Sequence, residues 1–185
     1  MSIKLYRHKI CWNIKQGKKA KIGMAITALL FLLLVVMGPV LHMFYVNHTA
    51  SAPRGLYLAL PLQPSYGDYV NVSCPVDVPP LAKKGELLLK RLRGIPGDVY
   101  IVSDDAMYIN GIYYPLFHSG YLPQLSKGTF TVPDGYYFLL NDHPRSFDSR
   151  YLGPIAKEQV HSKMVLLLDY DYIETIYEKL GGPEA

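Results

Sequence analysis

The chain has 185 residues, half of them hydrophobic and 18% charged, with a formal net charge of +4. That length holds one domain of ordinary size with some chain left over. The positive charge is confined to one end: residues 1–46 carry Lys4, Arg7, Lys9, Lys15, Lys18, Lys19 and Lys21 and no carboxylate, while residues 47–185 are net acidic. A basic nucleic-acid-binding domain is thereby excluded, and no nucleic-acid partner is expected.

Ile22 to Val46 explains the basic end. This run contains no Asp, Glu, Lys or Arg and is centred on Leu29–Met37. As a helix it would be about 37 Å long, enough to cross a hydrocarbon core of about 30 Å. Gly38-Pro39 would kink it, which membrane helices tolerate. The preceding cations place the N-terminus in the cytoplasm by the positive-inside rule. The expected organisation is a cytoplasmic basic tail over 1–21, a transmembrane helix over 22–46 in the lipid bilayer, and a domain over 47–185 on the far side. In a Gram-negative cell that domain lies in the periplasm.

A cleaved leader is the competing reading, since Ala50-Ser51-Ala52 has an Ala-x-Ala pattern. The length of the apolar run, the long basic region and Pro53 just after the cut oppose it. Cys11 and Cys74 would lie on opposite sides of the membrane, so no intrachain disulfide is expected. His8, His42, His48, His118, His143 and His161 are scattered without metal-ligand spacing, and neither metal nor cofactor is called for. Asn47-His48-Thr49 matches a glycosylation sequon, a short motif that matters only in a eukaryote.

Beyond the anchor the chain reads as β structure. Leu56–Leu60, Tyr69–Val72, Val99–Val102, Thr129–Val132, Tyr136–Leu140 and Val165–Leu168 are short apolar or alternating runs set off by Gly-Asp, Pro and Pro-Asp-Gly turns. Met107–Ile109 and Ile112–Tyr114 flank Asn110-Gly111, the pair suited to a type I′ hairpin turn. Lys157 to Lys163 reads as a helical turn and Tyr172 to Leu180 as a short terminal helix. The fold class is mainly β, an antiparallel barrel or folded sheet.

Three segments carry the chemistry. Leu87–Arg93 ends in Gly94-Ile95-Pro96-Gly97-Asp98, and strand alternation puts Lys90 on a face with Leu88 and Leu92. Desolvation lowers a lysine pKa; reaching about 7–8 takes roughly 3–5 kcal/mol of differential solvation and yields a neutral amine able to act as general base. The alternative is a snorkelling lysine at a strand end. Lys83 and Lys84 follow Pro79-Pro80 in a hydrated loop, which would keep them charged. The second segment, Thr49–Tyr57, holds Ser51 in a Pro- and Gly-containing turn, either a nucleophile or an ordinary loop serine. The third, Asn141–Gly153, packs Ser146, Asp148 and Arg150 between apolar strands, with Asp148 expected to pair with Arg150 or Arg145. Serine needs a base, and a desolvated lysine can replace histidine in that role; Ser146 is a candidate to orient the lysine.

Gly67-Asp68-Tyr69-Val70, the Lys90–Asp98 box and Ser146-Phe147-Asp148-Ser149-Arg150-Tyr151-Leu152-Gly153 resemble the boxes of type I signal peptidases, in the same order after an N-terminal anchor. Within that family, Ser51–Tyr57 and Arg145–Tyr151 look most like the conjugative-transfer branch. The resemblance implies a signal-peptidase-like antiparallel β domain and a serine endopeptidase with Ser51 as nucleophile and Lys90 as general base. It also implies Ser146 as the orienting hydroxyl, with Asp148 and Arg150 ordering the loop. The oxyanion hole would combine the Ser51 backbone N–H with the Thr49 side chain. The implied substrate is a membrane-inserted pilin precursor, cut at its C-terminal end and closed head to tail, with other conjugation or secretion components as possible partners.

The chain departs from the general leader peptidases. Pro53 lies two residues after Ser51 rather than three, and Asn141-Asp142-His143-Pro144-Arg145 replaces a Gly-Asp-Asn-Arg opening. These departures favour a dedicated substrate over general removal of secretory leaders. The reading from a different class is a catalytically silent β domain that binds pilus or secretion components at the membrane.

Overall fold

The computed structural model describes residues 3–181, with side chains from Lys19 onward. The Cys11 thiol, the cations before Lys19 and the Gly182-Pro183 stop lie outside the described residues. The chain divides into two units, Met1–Met43 and Phe44–Ala185.

The first unit is one helix, α1 (Ile3–Leu41). Its part from Lys19 to Leu41 is long and apolar enough to cross a membrane, and none of it is buried. The helix continues through Pro39 but stops at Leu41, short of the expected Val46. Phe44–Asn47 is instead a strand, β1, with Phe44 and Val46 exposed, Tyr45 half-buried and Asn47 buried. Aromatic and β-branched residues suit a pleated surface, but in a continuous apolar run hydropathy does not separate them from helix.

The second unit continues with β2 (Gly55–Leu60), β3 (Tyr69–Ser73), β4 (Leu87–Gly94), β5 (Val99–Val102), β6 (Ala106–Ile109), β7 (Ile112–Pro115), β8 (Gly128–Thr131) and β9 (Tyr136–Leu139). Then come α2 (Ser149–Leu152), β10 (Ile155–Ala156), β11 (Val160–Asp169) and α3 (Tyr170–Lys179). A seven-stranded sheet runs β1-β2-β11-β3-β4-β9-β10, and a four-stranded sheet runs β7-β6-β5-β8. All the pairings are antiparallel. The domain is mainly β, as expected.

The β6–β7 turn has Asn110 at φ 49° and Gly111 at φ 79°, the two positive values a type I′ turn requires. The helical turn expected over Lys157–Lys163 is confined to a 3-10 turn at Lys157–Gln159. Val160 already pairs with Val72, because ladder bonds to β3 and burial of Met164 outweigh local helical preference. Apolar clusters fill the sheets. One gathers Val70, Val72, Leu92, Leu139 and Ile155; another gathers Ala52, Tyr57, Leu89 and Met164. β4 serves both, through Leu92 in the first and Leu89 in the second, and Lys90 stands between them in the strand.

Candidate active site

The Ser51 loop is built on Asn47. Asn47 closes β1 and pairs in register with Gly55, so residues 48–54 bulge out between β1 and β2. The Asn47 side chain is 2% exposed and fills the bulge. Its Nδ2 donates to the carbonyls of Thr49 (3.0 Å), Ala52 (3.1 Å) and Pro53 (3.0 Å). Its Oδ1 accepts from the Thr49 backbone N–H (3.1 Å) and the Thr49 hydroxyl (2.7 Å). Tyr57 adds a bond from its hydroxyl to the Pro53 carbonyl at 2.8 Å. A buried Asn amide with both ends engaged is a scaffold for the loop, which removes the sequon reading. Sequence reasoning missed it; the signal was a small polar residue ending a strand just before the serine turn.

Ser51 Oγ lies 3.3 Å from Thr49 Oγ1. Thr49 has one hydroxyl proton, and Asn47 Oδ1 takes it, so Ser51 is the donor in this contact. The Thr49 hydroxyl expected as an oxyanion donor is therefore occupied in this geometry. It would have to leave Asn47 to serve.

Lys90 stands in the middle of β4, opposite fully buried Val70 of β3, and is 5% exposed. Snorkelling is ruled out by that burial. Burial pushes the Lys90 pKa below the ordinary lysine value; the Asp148 carboxylate opposes this and the Arg150 guanidinium adds to it. Lys83 and Lys84 are exposed, as their loop position implied.

Asp148 and Arg150 order the third segment. Arg150 Nε donates to Asp148 Oδ1 at 2.9 Å and a terminal nitrogen donates to Oδ2 at 2.7 Å, with both side chains fully buried. The guanidinium also donates to the carbonyls of Pro144 (2.9 Å), Asn141 (2.9 Å) and His143 (3.0 Å). Asp148 accepts from the N–H of Asn141 (3.1 Å) and caps α2 through the N–H of Arg150 (3.1 Å). Each charge is thus paired and saturated, which is what burial of an ion pair demands. Despite burial, Asp148 keeps the Arg150 pKa above its ordinary value. Asn141 Nδ2 donates to the Leu89 carbonyl at 3.0 Å, tying this segment to β4 beside Lys90. Ser146 is buried, but its Oγ has no hydrogen-bond partner among the described residues, so the expected bond to Lys90 is not formed.

Ser51, Thr49, Asn47 and Lys90 line one cleft of about 340 Å³, with Arg145 and Phe147 on its wall. A second cleft of about 290 Å³, lined by Phe117, Tyr121, Leu122 and Tyr151, shares Leu81, Arg145 and Phe147 with the first. The two clefts therefore adjoin at these three residues. Among the described residues no cluster of His, Cys, Asp and Glu suits a metal ion.

A loop serine sharing a cleft with a buried lysine is the layout that serine–lysine peptidases use. The family profile described as "Signal peptidase, peptidase S26" matches residues 19–168, and the chain belongs to that family. It is 32% identical over 90 residues to signal peptidase I V of Bacillus subtilis (strain 168), covering 40% of this chain and 54% of that protein. It is 28% identical over 137 residues to the plasmid transfer protein TraF of Escherichia coli, covering 62% and 76%. A solved signal peptidase I from Enterococcus faecalis V583 matches with 28% identity and a TM-score of 0.38, over 56% of this chain and 98% of that one. The chain spans about half the length of the signal peptidases it matches in sequence.

Proposed function

We propose that this protein is a membrane-anchored serine endopeptidase that matures a pilin precursor for plasmid transfer. Lys90, buried in the cleft that holds Ser51, carries the reading. A desolvated neutral amine takes the Ser51 proton as Oγ attacks the scissile carbonyl. The tetrahedral oxyanion is held by the Ser51 backbone N–H, and by Thr49 once its hydroxyl turns from Asn47. On collapse Lys90 passes its proton to the leaving amine, and the acyl group stays on Ser51. Water then releases a linear product. A substrate amine in its place closes the chain, giving a product one water lighter than the linear peptide. Ser146 steadies Lys90 in the substrate-bound state, while Asp148 and Arg150 hold the segment that carries Ser146.

The pilin reading rests on the extent of the similarity to TraF, which reaches over more of this chain than the signal peptidase I matches do. A second reading, general removal of secretory leaders, is favoured by the higher local identity to signal peptidase I, 38% over 87 residues for the Bacillus licheniformis protein. Both place the domain on the periplasmic side of a cytoplasmic membrane, with the precursor inserted in the same bilayer.

The test is processing of a pilin precursor and of a leader-bearing preprotein in cells expressing wild type, Ser51→Ala or Lys90→Ala, read by mass spectrometry. Loss of the pilin product in both variants, with the preprotein uncut by wild type, is the expected result. Preprotein cleavage by wild type would favour the second reading. Normal processing by both variants would overturn the catalytic assignment and leave a binding domain.

A further inference from the structure

Helix α3 has two faces that do different things. Asp169 caps it by accepting from the N–H of Tyr172 at 3.1 Å, which fixes the helix start at the end of β11. Its acidic face turns towards the Ser51 loop. Arg54 Nε donates to Asp171 at 2.7 Å, an Arg54 terminal nitrogen donates to Glu174 at 2.9 Å, and the Tyr170 N–H donates to the Arg54 carbonyl at 2.9 Å. Arg54 is three residues beyond Ser51. The opposite face carries Ile173, Ile176, Tyr177 and Leu180, the i, i+3, i+4, i+7 spacing of a buried stripe. Here that stripe, with Tyr172, is 40–81% exposed.

A soluble domain gains nothing by pinning a helix through its charged side and offering its apolar side to water. Two observations say what covers it. The candidate membrane span ends at Leu41 and two residues separate it from β1, so about 10 Å of chain tethers this domain to a bilayer surface. In the ladders Val46 pairs with Leu56 and Leu56 with Leu168, and Val46 and Leu168 are both exposed. This apolar face runs from the strand that follows the anchor to the strand end from which α3 starts.

We infer that α3 lies in the membrane interface, apolar face down, and through Arg54 holds the Ser51 loop at a set depth above the bilayer. The inference rests on reading α1 as a membrane span. A helix with an aromatic and aliphatic face and low overall hydrophobicity is the kind that lies in the interface plane rather than crossing it. Tyr172 and Tyr177 put amphipathic rings at the level where headgroups meet acyl chains. The acidic face supplies no attraction to anionic lipid; it is matched by Arg54 on the protein side. The partner is therefore the apolar boundary of a bilayer rather than its charge.

The chain's single tryptophan is Trp12, which makes site-directed fluorescence direct. The full chain with Trp12→Phe is reconstituted in nanodiscs of phosphatidylcholine brominated on its acyl chains, with one new tryptophan at a time. Leu33→Trp reports the span, Tyr177→Trp and Ile176→Trp the apolar face of α3, and Glu178→Trp its acidic face. Bromine is expected to quench Tyr177→Trp and Ile176→Trp at least about twofold more than Glu178→Trp, with Leu33→Trp quenched as well. Equal quenching on the two faces, with Leu33→Trp still quenched, overturns the inference and leaves the anchor intact. An unquenched Leu33→Trp overturns the anchor reading and this inference with it. Unquenched apolar positions, together with disulfide-linked dimers of an Ile173→Cys variant, would assign the face to a second copy instead.

Discussion

The Thr49 hydroxyl donates to Asn47 Oδ1 at 2.7 Å, and this one bond decides the polarity of the hydroxyl pair at the candidate nucleophile. Because Asn47 holds the Thr49 proton, Ser51 points its own proton at Thr49. In the proposed mechanism, attack on a carbonyl moves that proton to Lys90, and Thr49 gives up Asn47 to bind the oxyanion.

Asn47→Ala should unhinge the loop. It leaves the Thr49 and Ala52 carbonyls without the amide donor, the Pro53 carbonyl with Tyr57 alone, and the loop carrying Ser51 unanchored, so peptide cleavage should fall by tenfold or more and stability by about 1–3 kcal/mol. Thr49→Val should cost activity with little loss of stability, and Thr49→Ser should restore it. Cleavage rates and urea unfolding of the three variants check this. Unchanged cleavage in Thr49→Val would remove Thr49 from the oxyanion hole.

Lys90→Met should abolish cleavage and stabilise the fold. Below the folded-state pKa, both folded and unfolded chains carry the proton, and the full cost of a buried ammonium is present. Between that pKa and the unfolded value of about 10.4, the unfolded chain binds more protons, so wild-type stability rises with pH. The advantage of Lys90→Met over wild type should therefore be largest at low pH and fade towards about pH 10.4. Urea midpoints of both proteins across that range test it. The cleavage rate of wild type should rise with pH along a limb lying below the ordinary lysine value, and Lys90→Arg, which cannot deprotonate, should be inactive.

Arg150→Met should destabilise by about 3–5 kcal/mol, because it leaves the Asp148 carboxylate buried without its cation. Pairing it with Asp148→Leu should recover part of the stability. Cleavage should stay lost in the double variant, since the Asn141 and Pro144 carbonyls lose the guanidinium donor, the His143 carbonyl keeps only the Ser146 N–H, and the segment bearing Ser146 is no longer held by Arg150. Unfolding curves and cleavage assays on both variants separate the two effects.

Gly55→Ala should cost more stability than a loop position suggests. A Cβ there runs into the Leu168 carbonyl oxygen and the Leu166 side chain, so β2 and β11 must part where the Ser51 loop ends and α3 begins. Gly55 closes that loop and Leu168 lies just before α3, so the expected loss is about 1–3 kcal/mol, with weakened quenching contrast at α3 in the nanodisc measurement.

Much of this molecule was readable without coordinates. Most of the β strands, the Asn110-Gly111 hairpin and the terminal helix follow from alternation, turn residues and helical spacing, all of which act within a few neighbouring residues. An ion pair on Asp148 was readable for the same reason, with Arg150 and Arg145 both close in the chain; the fold selects Arg150. The end of the first helix was not: Phe44, Tyr45 and Val46 are as apolar as the helix before them, and only pairing with Tyr57 and its neighbours turns them into a strand. Nor was Asn47, whose importance comes from carbonyls that the loop folds around it.

The sequence by itself determined which residues could carry the chemistry and in what order they come, because box spacing and the apolar N-terminal run are written along the chain. Tertiary structure decided what those residues are able to do. Whether Lys90 snorkels or is buried depends on Val70 and the layers packed over β4, and whether Thr49 can donate depends on Asn47. Whether the apolar stripe of α3 faces a core or the outside depends on Arg54, more than a hundred residues earlier in the chain. Desolvation and hydrogen-bond polarity are properties of what surrounds a side chain, and those surroundings are assembled only when distant segments meet.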